Sequence, residues 1–244
     1  MAQLLHIEGL SGGYTHKNVI DDLTFHIKEG EIVGLIGLNG AGKSTTIKHI
    51  IGLMEPRTGQ VQLNGHSYTD APEQYRQQFA YIPEMPLLYE ELTLYEHLKL
   101  TAMAYQLDEA IFEKRLPPLL KAFRLEKQLK WFPIHFSKGM KQKVMIMCAF
   151  LVEPSLYIVD EPFVGLDPLG IQAFLDLMVA QKENGSGILM STHILATAER
   201  YCDRFLILHE GKLQASGTIE QLRAHFSMPT ATLDDLYIQL TKEG

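Results

Sequence analysis

Apolar and polar residues alternate in LLHIEGL (residues 4–10) and in VIDDLTFHI (19–27). A period of two predicts strands of an antiparallel sheet with one buried face. EIVGLIG (31–37) reads as a short apolar strand ending in glycine. KSTTIKHIIGL (43–53) follows as a helix that stops near MEPRTG (54–59). QVQLNG (60–65) predicts a strand and turn, and FAYIP (79–83) a strand ended by Pro83. The character then changes. LYEHLKLTAMAYQL (94–107), EAIFEKRLPPLLKAFRL (109–125) and KGMKQKVMIMCAFL (138–151) have helical spacing and almost no strand signal. They predict a helical insertion, over residues 85–152, between two strands. LYIVDEP (156–162) and GILMSTH (187–193) are continuous apolar runs, the pattern of parallel strands buried on both faces. PLGIQAFLDLMVAQK (168–182) lies between them as a crossover helix, and RFLILHEGKLQASG (204–217) predicts a hairpin. A C-terminal helical extension covers 218–244, where LDDLYIQL puts Leu233, Leu236, Tyr237 and Leu240 on one face. That face is expected to pack on the body. The fold class is α/β.

At 244 residues the chain is expected to be a single domain, and 46% apolar content is enough for a real core. Its 22 basic against 29 acidic residues leave a charge of −7, which argues against a surface devoted to nucleic acid. Cys148 and Cys202 sit in apolar settings and read as small buried side chains in a reducing compartment. The opening MAQLLHIEGL has no basic region ahead of an apolar one, so no signal peptide is expected. The longest apolar run, the nine residues Val144 to Val152, is too short to cross a bilayer. Any membrane function therefore requires a separate membrane chain.

GLNGAGKST (37–45) fits G-x-x-x-x-G-K-[ST], with a strand before it and a helix after it. Gly37, Gly40 and Gly42 let the backbone curl. Loop N–H groups, with Leu38, Asn39, Ala41 and Thr45 contributing, then face a phosphate chain. Lys43 reaches the β- and γ-phosphates, and Ser44 can bind Mg²⁺. In LYIVDEP a strand delivers Asp160 as a hard oxygen ligand, and Glu161 can polarise a water for attack on the γ-phosphate. His193, ending the neighbouring strand, can donate to a γ-phosphate oxygen. Tyr14 is either a core residue or a platform for a purine ring. In HFSKGMKQK (135–143), Lys138, Lys141 and Lys143 crowd the N-terminal end of a helix that Ser137 can cap. A helix N-terminus already carries partial positive charge. The lysines are therefore either a solvated cluster or half of a site that an outside anion completes.

Taken together, these motifs resemble the ATP-binding cassette (ABC) ATPases along essentially the whole chain. Within that family they look most like the ATP-binding subunits of the bacterial Ecs-type transporters. The resemblance implies a P-loop NTPase core, an N-terminal antiparallel β subdomain and a helical subdomain. It makes FSKGM (136–140) the counterpart of the signature loop LSGGQ, with Ser137 and Gly139 matching and Phe136, Lys138 and Met140 departing. That loop would grip ATP held by a second copy in a head-to-tail dimer. Tyr14 looks like the adenine-stacking aromatic, Asp160 the metal ligand, Glu161 the catalytic base and His193 the switch histidine. GLD (165–167) looks like the loop that crosses the dimer interface, with Asp167 matching its aspartate. Glu84, at the end of YIPE, stands where the family usually has a glutamine that binds Mg²⁺. The carboxylate still binds metal but adds negative charge, a change associated with exporter-type members. The resemblance further implies ATP and Mg²⁺ as ligands, a separate integral membrane subunit, and a peripheral place on the cytoplasmic face of the membrane. A soluble ABC ATPase in a non-transport process and a non-hydrolysing regulator are the alternatives. The stretch MPLLYEELT (85–93) is either an exposed apolar contact for the membrane subunit, with Leu87 and Leu88 at its centre, or a segment packed on its own helices.

Overall fold

The computed structural model describes residues 3–243, with side chains for 3–240. In chain order the elements are β1 (Gln3–Gly12), β2 (Ile20–Lys28), β3 (Ile32–Ile36), α1 (Lys43–Ile50), β4 (Thr58–Leu63), β5 (His66–Ser67), α2 (Pro72–Gln77) and β6 (Phe79–Ile82). Three long helices follow: α3 (Leu94–Ala104), α4 (Glu109–Phe123) and α5 (Lys138–Val152). The chain then returns through β7 (Leu156–Asp160), α6 (Pro168–Glu183), β8 (Gly187–Thr192), α7 (Leu195–Tyr201), β9 (Arg204–His209), β10 (Lys212–Gly217), α8 (Ile219–His225) and α9 (Leu233–Glu243).

Two sheets form. The first is antiparallel, in the order β2-β1-β4-β5. The second runs β10-β9-β3-β8-β7-β6, parallel except for the edge strand β10. Every residue of β3, β7 and β8 is buried, as their unbroken apolar runs predict. One apolar core lies between the antiparallel sheet, α1 and one face of the parallel sheet. A second joins the opposite face to α3, α4, α5 and α6. A third seats α7, α8 and α9 on Ile36, Phe205 and Ile207. Arg204 on β9 reaches across to the other sheet. It bonds both Glu31 carboxylate oxygens, at 2.7 and 3.0 Å, and the His26 carbonyl at 2.6 Å. A two-pronged charge-assisted contact of this kind fixes orientation as well as distance.

The strands and long helices lie where the hydrophobic pattern puts them. Helix α4 continues through Pro117 and Pro118. Interior prolines cost about 3 kcal/mol or more, and the burial of Phe112, Leu116, Leu119, Leu120 and Phe123 offsets it. Two short helices, α2 and α7, escape the periodicity reading, because fewer than two turns do not establish a period. Both cysteines are free and half-buried. Burial pushes the Cys148 thiol up to about 11 and the Cys202 thiol upward too, so neither is a ready nucleophile. No helix among the described residues is long and apolar enough to cross a membrane.

Candidate active site

The buried strand β3 aims the chain into GLNGAGKST, and α1 begins at Lys43. Gly42 makes the turn at φ 107°, where a Cβ would lie 2.8 Å from Ile20 Cγ2, so only glycine fits. The first turn of α1 has no acidic residue and no side-chain cap. Its N–H groups and dipole would therefore favour an anion. Lys43 is buried. Its Nζ donates to the Gly37 carbonyl at 2.8 Å and the Leu38 carbonyl at 3.4 Å, and lies 3.6 Å from Glu161 Oε1.

Parallel pairing sets Asp160 of β7 beside Ser191 of β8. The Ser191 hydroxyl donates to Asp160 Oδ1 at 2.5 Å. Ser191 also accepts the Glu161 N–H, at 3.2 Å from both its carbonyl and its Oγ. Glu161 has φ 47°, left-handed backbone that costs a non-glycine residue about 1–2 kcal/mol. The two Ser191 contacts hold it there. Glu161 Oε2 accepts from His193 Nδ1 at 2.7 Å and from the His193 N–H at 3.3 Å. An ionised Glu161 accepts from a protonated Nδ1 of His193, and Nε2 can then donate to a phosphate only when it carries a proton as well. Glu161 Oε1 is buried and makes no hydrogen bond. One oxygen is therefore anchored, and the other faces Lys43. Sequence reasoning missed Ser191, although its place two residues before His193 on the adjacent strand was the available signal.

These groups line a cavity of about 390 Å³. Leu38, Asn39, Gly40, Gly42, Lys43, Ser44 and Thr45 come from the loop and α1, and Tyr14, Glu84, Glu161 and His193 from elsewhere. Gly37, Ala41 and Asp160 are buried and do not line it. Tyr14 is 60% exposed, which removes the core reading. Its hydroxyl accepts from Lys48 Nζ at 2.9 Å, and that ammonium sits 5.0 Å from the ring centroid. The hydrogen bond from Lys48 holds the Tyr14 phenol below its ordinary value. Lys48, one turn beyond Lys43, was not anticipated.

Ser137, Gly139 and Asp167 do not reach this cavity. They form a second group. Ser137 caps α5, accepting the Met140 N–H at 3.2 Å. A Cβ on Gly139 would lie 2.2 Å from the Gly165 carbonyl oxygen, so a side chain there forces the two loops apart. Asp167 accepts the Gly170 N–H at 2.8 Å and lies 3.0 Å from Lys143 Nζ. These two contacts, the lysine foremost, hold its carboxyl below the usual carboxylate range. Lys141 lies 3.3 Å from Glu90. Neither reading of the three lysines holds for all of them: two are paired within the chain, and Lys138 alone is exposed and without an ion pair among the described residues.

No three His, Cys, Asp or Glu side chains among the described residues converge as a preformed metal site. The chemistry nonetheless suits Mg²⁺, which keeps few protein ligands and completes its shell with phosphate and water. The Ser44 hydroxyl and Glu84 carboxylate both face the cavity, and Asp160 lies at the end of β7. All three offer hard oxygen donors. The loop from Met85 to Tyr89 divides. Met85, Leu87 and Tyr89 are exposed, Leu87 to 79%, whereas Leu88 packs on the core shared by α3, α4 and α5. The expectation of an exposed Leu88 is thus corrected; its side chain has an apolar surface of its own chain to cover.

The sequence profile of the family described as ABC transporter matches residues 20–164, more than half of the chain. This chain belongs to the ABC transporter family. The ABC-type transporter ATP-binding protein EcsA of Bacillus subtilis (strain 168) is 65% identical over 240 residues, 98% of this chain and 97% of EcsA. A solved structure of an ATP-binding subunit of an ABC transporter shares 66% identity at a TM-score of 0.96, covering 98% of this chain and 99% of that one. The structure of cbiO1 from Clostridium perfringens, part of the ABC transporter complex cbiONQ, aligns at a TM-score of 0.77 and 27% identity, over 93% of this chain and 92% of that one. As an ABC transporter protein, the chain has the P-loop NTPase fold, binds nucleotide and is an ATPase of transport. The family likeness read from its motifs is borne out, including that to the Ecs-type subunits.

Proposed function

We propose that this chain hydrolyses Mg·ATP at the cytoplasmic face of a membrane and powers export through a separate integral membrane subunit. Two copies close head to tail on two nucleotides. One observation supports this most: Lys43, Glu161 and His193 form a linked chain in one cavity, while Ser137, Gly139 and Asp167 lie outside it. In this reading Lys43 and the loop amides neutralise phosphate charge, and Tyr14 carries the adenine. Glu161 Oε1 takes a proton from the attacking water. His193 holds the γ-phosphate of its own site, and Ser137 and Gly139, with the head of α5, hold that of the partner copy. Asp167 lies at the contact between copies. Ser44, Asp160 and Glu84 would hold Mg²⁺, which when bound would supply charge neutralisation at the phosphates. Catalysis is mainly positioning and electrostatics.

Residues 85–152 act as a helical subdomain that carries the signature loop, and 218–244 as a C-terminal extension. The strand leading into the 85–93 loop, β6, also contributes Phe79 and Tyr81 to a mainly apolar cleft of about 400 Å³, completed by Ile51, Leu53, Ala104 and Tyr105 and by Arg76 and Gln77 of α2. We assign the cleft and the exposed Leu87 to the membrane subunit. Native membranes should therefore yield this chain together with an integral membrane protein. Leu87→Asp should weaken that co-purification and leave melting temperature and ATP affinity unchanged. Leu88→Asp, which buries a charge, should lower the melting temperature by about 5 °C or more. A chain that purifies without any membrane protein supports the soluble alternative instead, and a Leu87→Asp protein that melts early makes the loop a core element.

Glu84 is exposed, so its charge is well screened. Glu84→Gln should keep turnover within about threefold and raise the half-saturating Mg²⁺ concentration by about two- to threefold, because an exposed charge contributes only about 0–1 kcal/mol. A Mg²⁺ titration of ATPase activity measures this. Loss of nucleotide binding in a folded Glu84→Gln protein contradicts a substitution that is merely tolerated.

A further inference from the structure

The C-terminal helix does more than cover apolar surface. Its Tyr237 is buried, and the hydroxyl accepts the backbone N–H of Leu38, 199 residues away, at 2.8 Å. Leu38 is the second residue of the phosphate loop. The peptide unit joining Gly37 to Leu38 is thus held at both ends. Its N–H donates to Tyr237, and its C=O accepts from Lys43 Nζ at 2.8 Å. Hydrogen bonds at the two ends of one amide polarise each other. The orientation of this peptide therefore bears on where Lys43 sits.

The helix that carries Tyr237 is itself anchored. Thr232 and Asp235 bond reciprocally at its start: the Thr232 N–H donates to Asp235 Oδ2 at 2.9 Å, and the Asp235 N–H to Thr232 Oγ1 at 3.2 Å. The Leu233 N–H donates to Glu199 Oε2 at 2.8 Å. Glu199 belongs to α7, the helix that begins two residues after His193, and also bonds Arg223 of α8 at 3.1 Å. Leu233, Leu236 and Leu240 are buried against Ile36, the last residue of the strand entering the loop, and its neighbours. One rigid element is therefore bonded both to the helix after His193 and to the phosphate loop.

We propose that Tyr237 is a positioning residue for the nucleotide site, its hydroxyl orienting the Gly37–Leu38 peptide for phosphate binding. This deepens, and rests on, the reading of that loop as the ATP site. The hydroxyl supports the loop rather than the chemical step, so its loss should appear in KM and not in kcat. Tyr237→Phe keeps the ring and its packing and removes one hydrogen bond. The KM for ATP should rise about three- to tenfold, with kcat within about twofold of wild type and the same ratio in direct binding of a fluorescent ATP analogue. Leu240→Ala is the counter-test. It removes packing from the same face and leaves the hydroxyl, so it should lower the melting temperature with KM unchanged. If Tyr237→Phe binds as wild type does, or if Leu240→Ala raises KM as much, the role of Tyr237 is overturned and the ATP site stands. A wild-type protein that binds no nucleotide overturns both.

Discussion

Glu161→Gln is expected to lower the ATPase rate by about 10²–10⁴-fold, the usual cost of losing a general base, while ATP binding persists. The geometry gives the reason. Glu161 Oε2 is anchored by His193 at 2.7 Å, and Oε1 is buried without a hydrogen bond. In the proposed mechanism this unbonded oxygen takes the proton from the attacking water. Glutamine has the same shape and can still accept from His193 through its carbonyl oxygen, but its amide end donates and accepts no proton. The lost charge also frees Lys43, 3.6 Å away, from its carboxylate neighbour, so nucleotide affinity should be maintained or rise. Phosphate release under saturating Mg·ATP, beside a binding titration, measures both parts. Turnover within about twofold of wild type assigns the base to another residue.

A second large effect is expected from two inactive proteins. Lys43→Ala removes the proposed phosphate ligand within the cavity, and Ser137→Arg blocks the α5 head outside it. If Ser137 acts on the partner's nucleotide, a mixed dimer has one site with both lesions and one with neither. Mixing the two proteins should then restore ATPase activity, up to about half of wild type if the sites act independently. A Ser137 that served its own chain's nucleotide leaves one lesion in every site and no rescue. Ser137→Arg also removes a helix cap that contributes about 1 kcal/mol, so its melting temperature is needed as a control. Strict coupling between sites blocks rescue without moving Ser137. ATP-dependent cross-linking of cysteines placed at positions 39 and 138, with Cys148 and Cys202 replaced, separates the two cases. Neither rescue nor an intermolecular cross-link means that the head of α5 does not reach across. The unpaired Lys138 then has no anion to meet.

Much of the fold was legible because its strands and long helices carry strong periods. β3, β7 and β8 are unbroken apolar runs, and α3, α4 and α5 repeat their apolar positions over three turns or more. Short elements such as α7 lack the length to show a period. The phosphate loop was legible for a different reason. Its chemistry needs consecutive backbone amides, so its glycines, Lys43 and Ser44 must be contiguous in sequence. Asp160 and Glu161 are also adjacent, and a strand end marks them.

The sequence by itself determined the glycine-rich loop between β3 and α1, which strands are buried on both faces, and that long helices stand between β6 and β7, because all of these are written in local spacing. Only the tertiary structure decided which Glu161 oxygen is anchored by His193 and which faces Lys43, that Ser191 holds Glu161 in a left-handed turn, that Lys141 and Lys143 are paired while Lys138 has no ion pair among the described residues, that Leu88 turns inward while Leu87 does not, and that Tyr237 bonds Leu38. Each of these joins elements distant in the chain. A hydrogen bond depends on distance and angle within a few tenths of an ångström, and no pattern of residue types along a sequence carries that information.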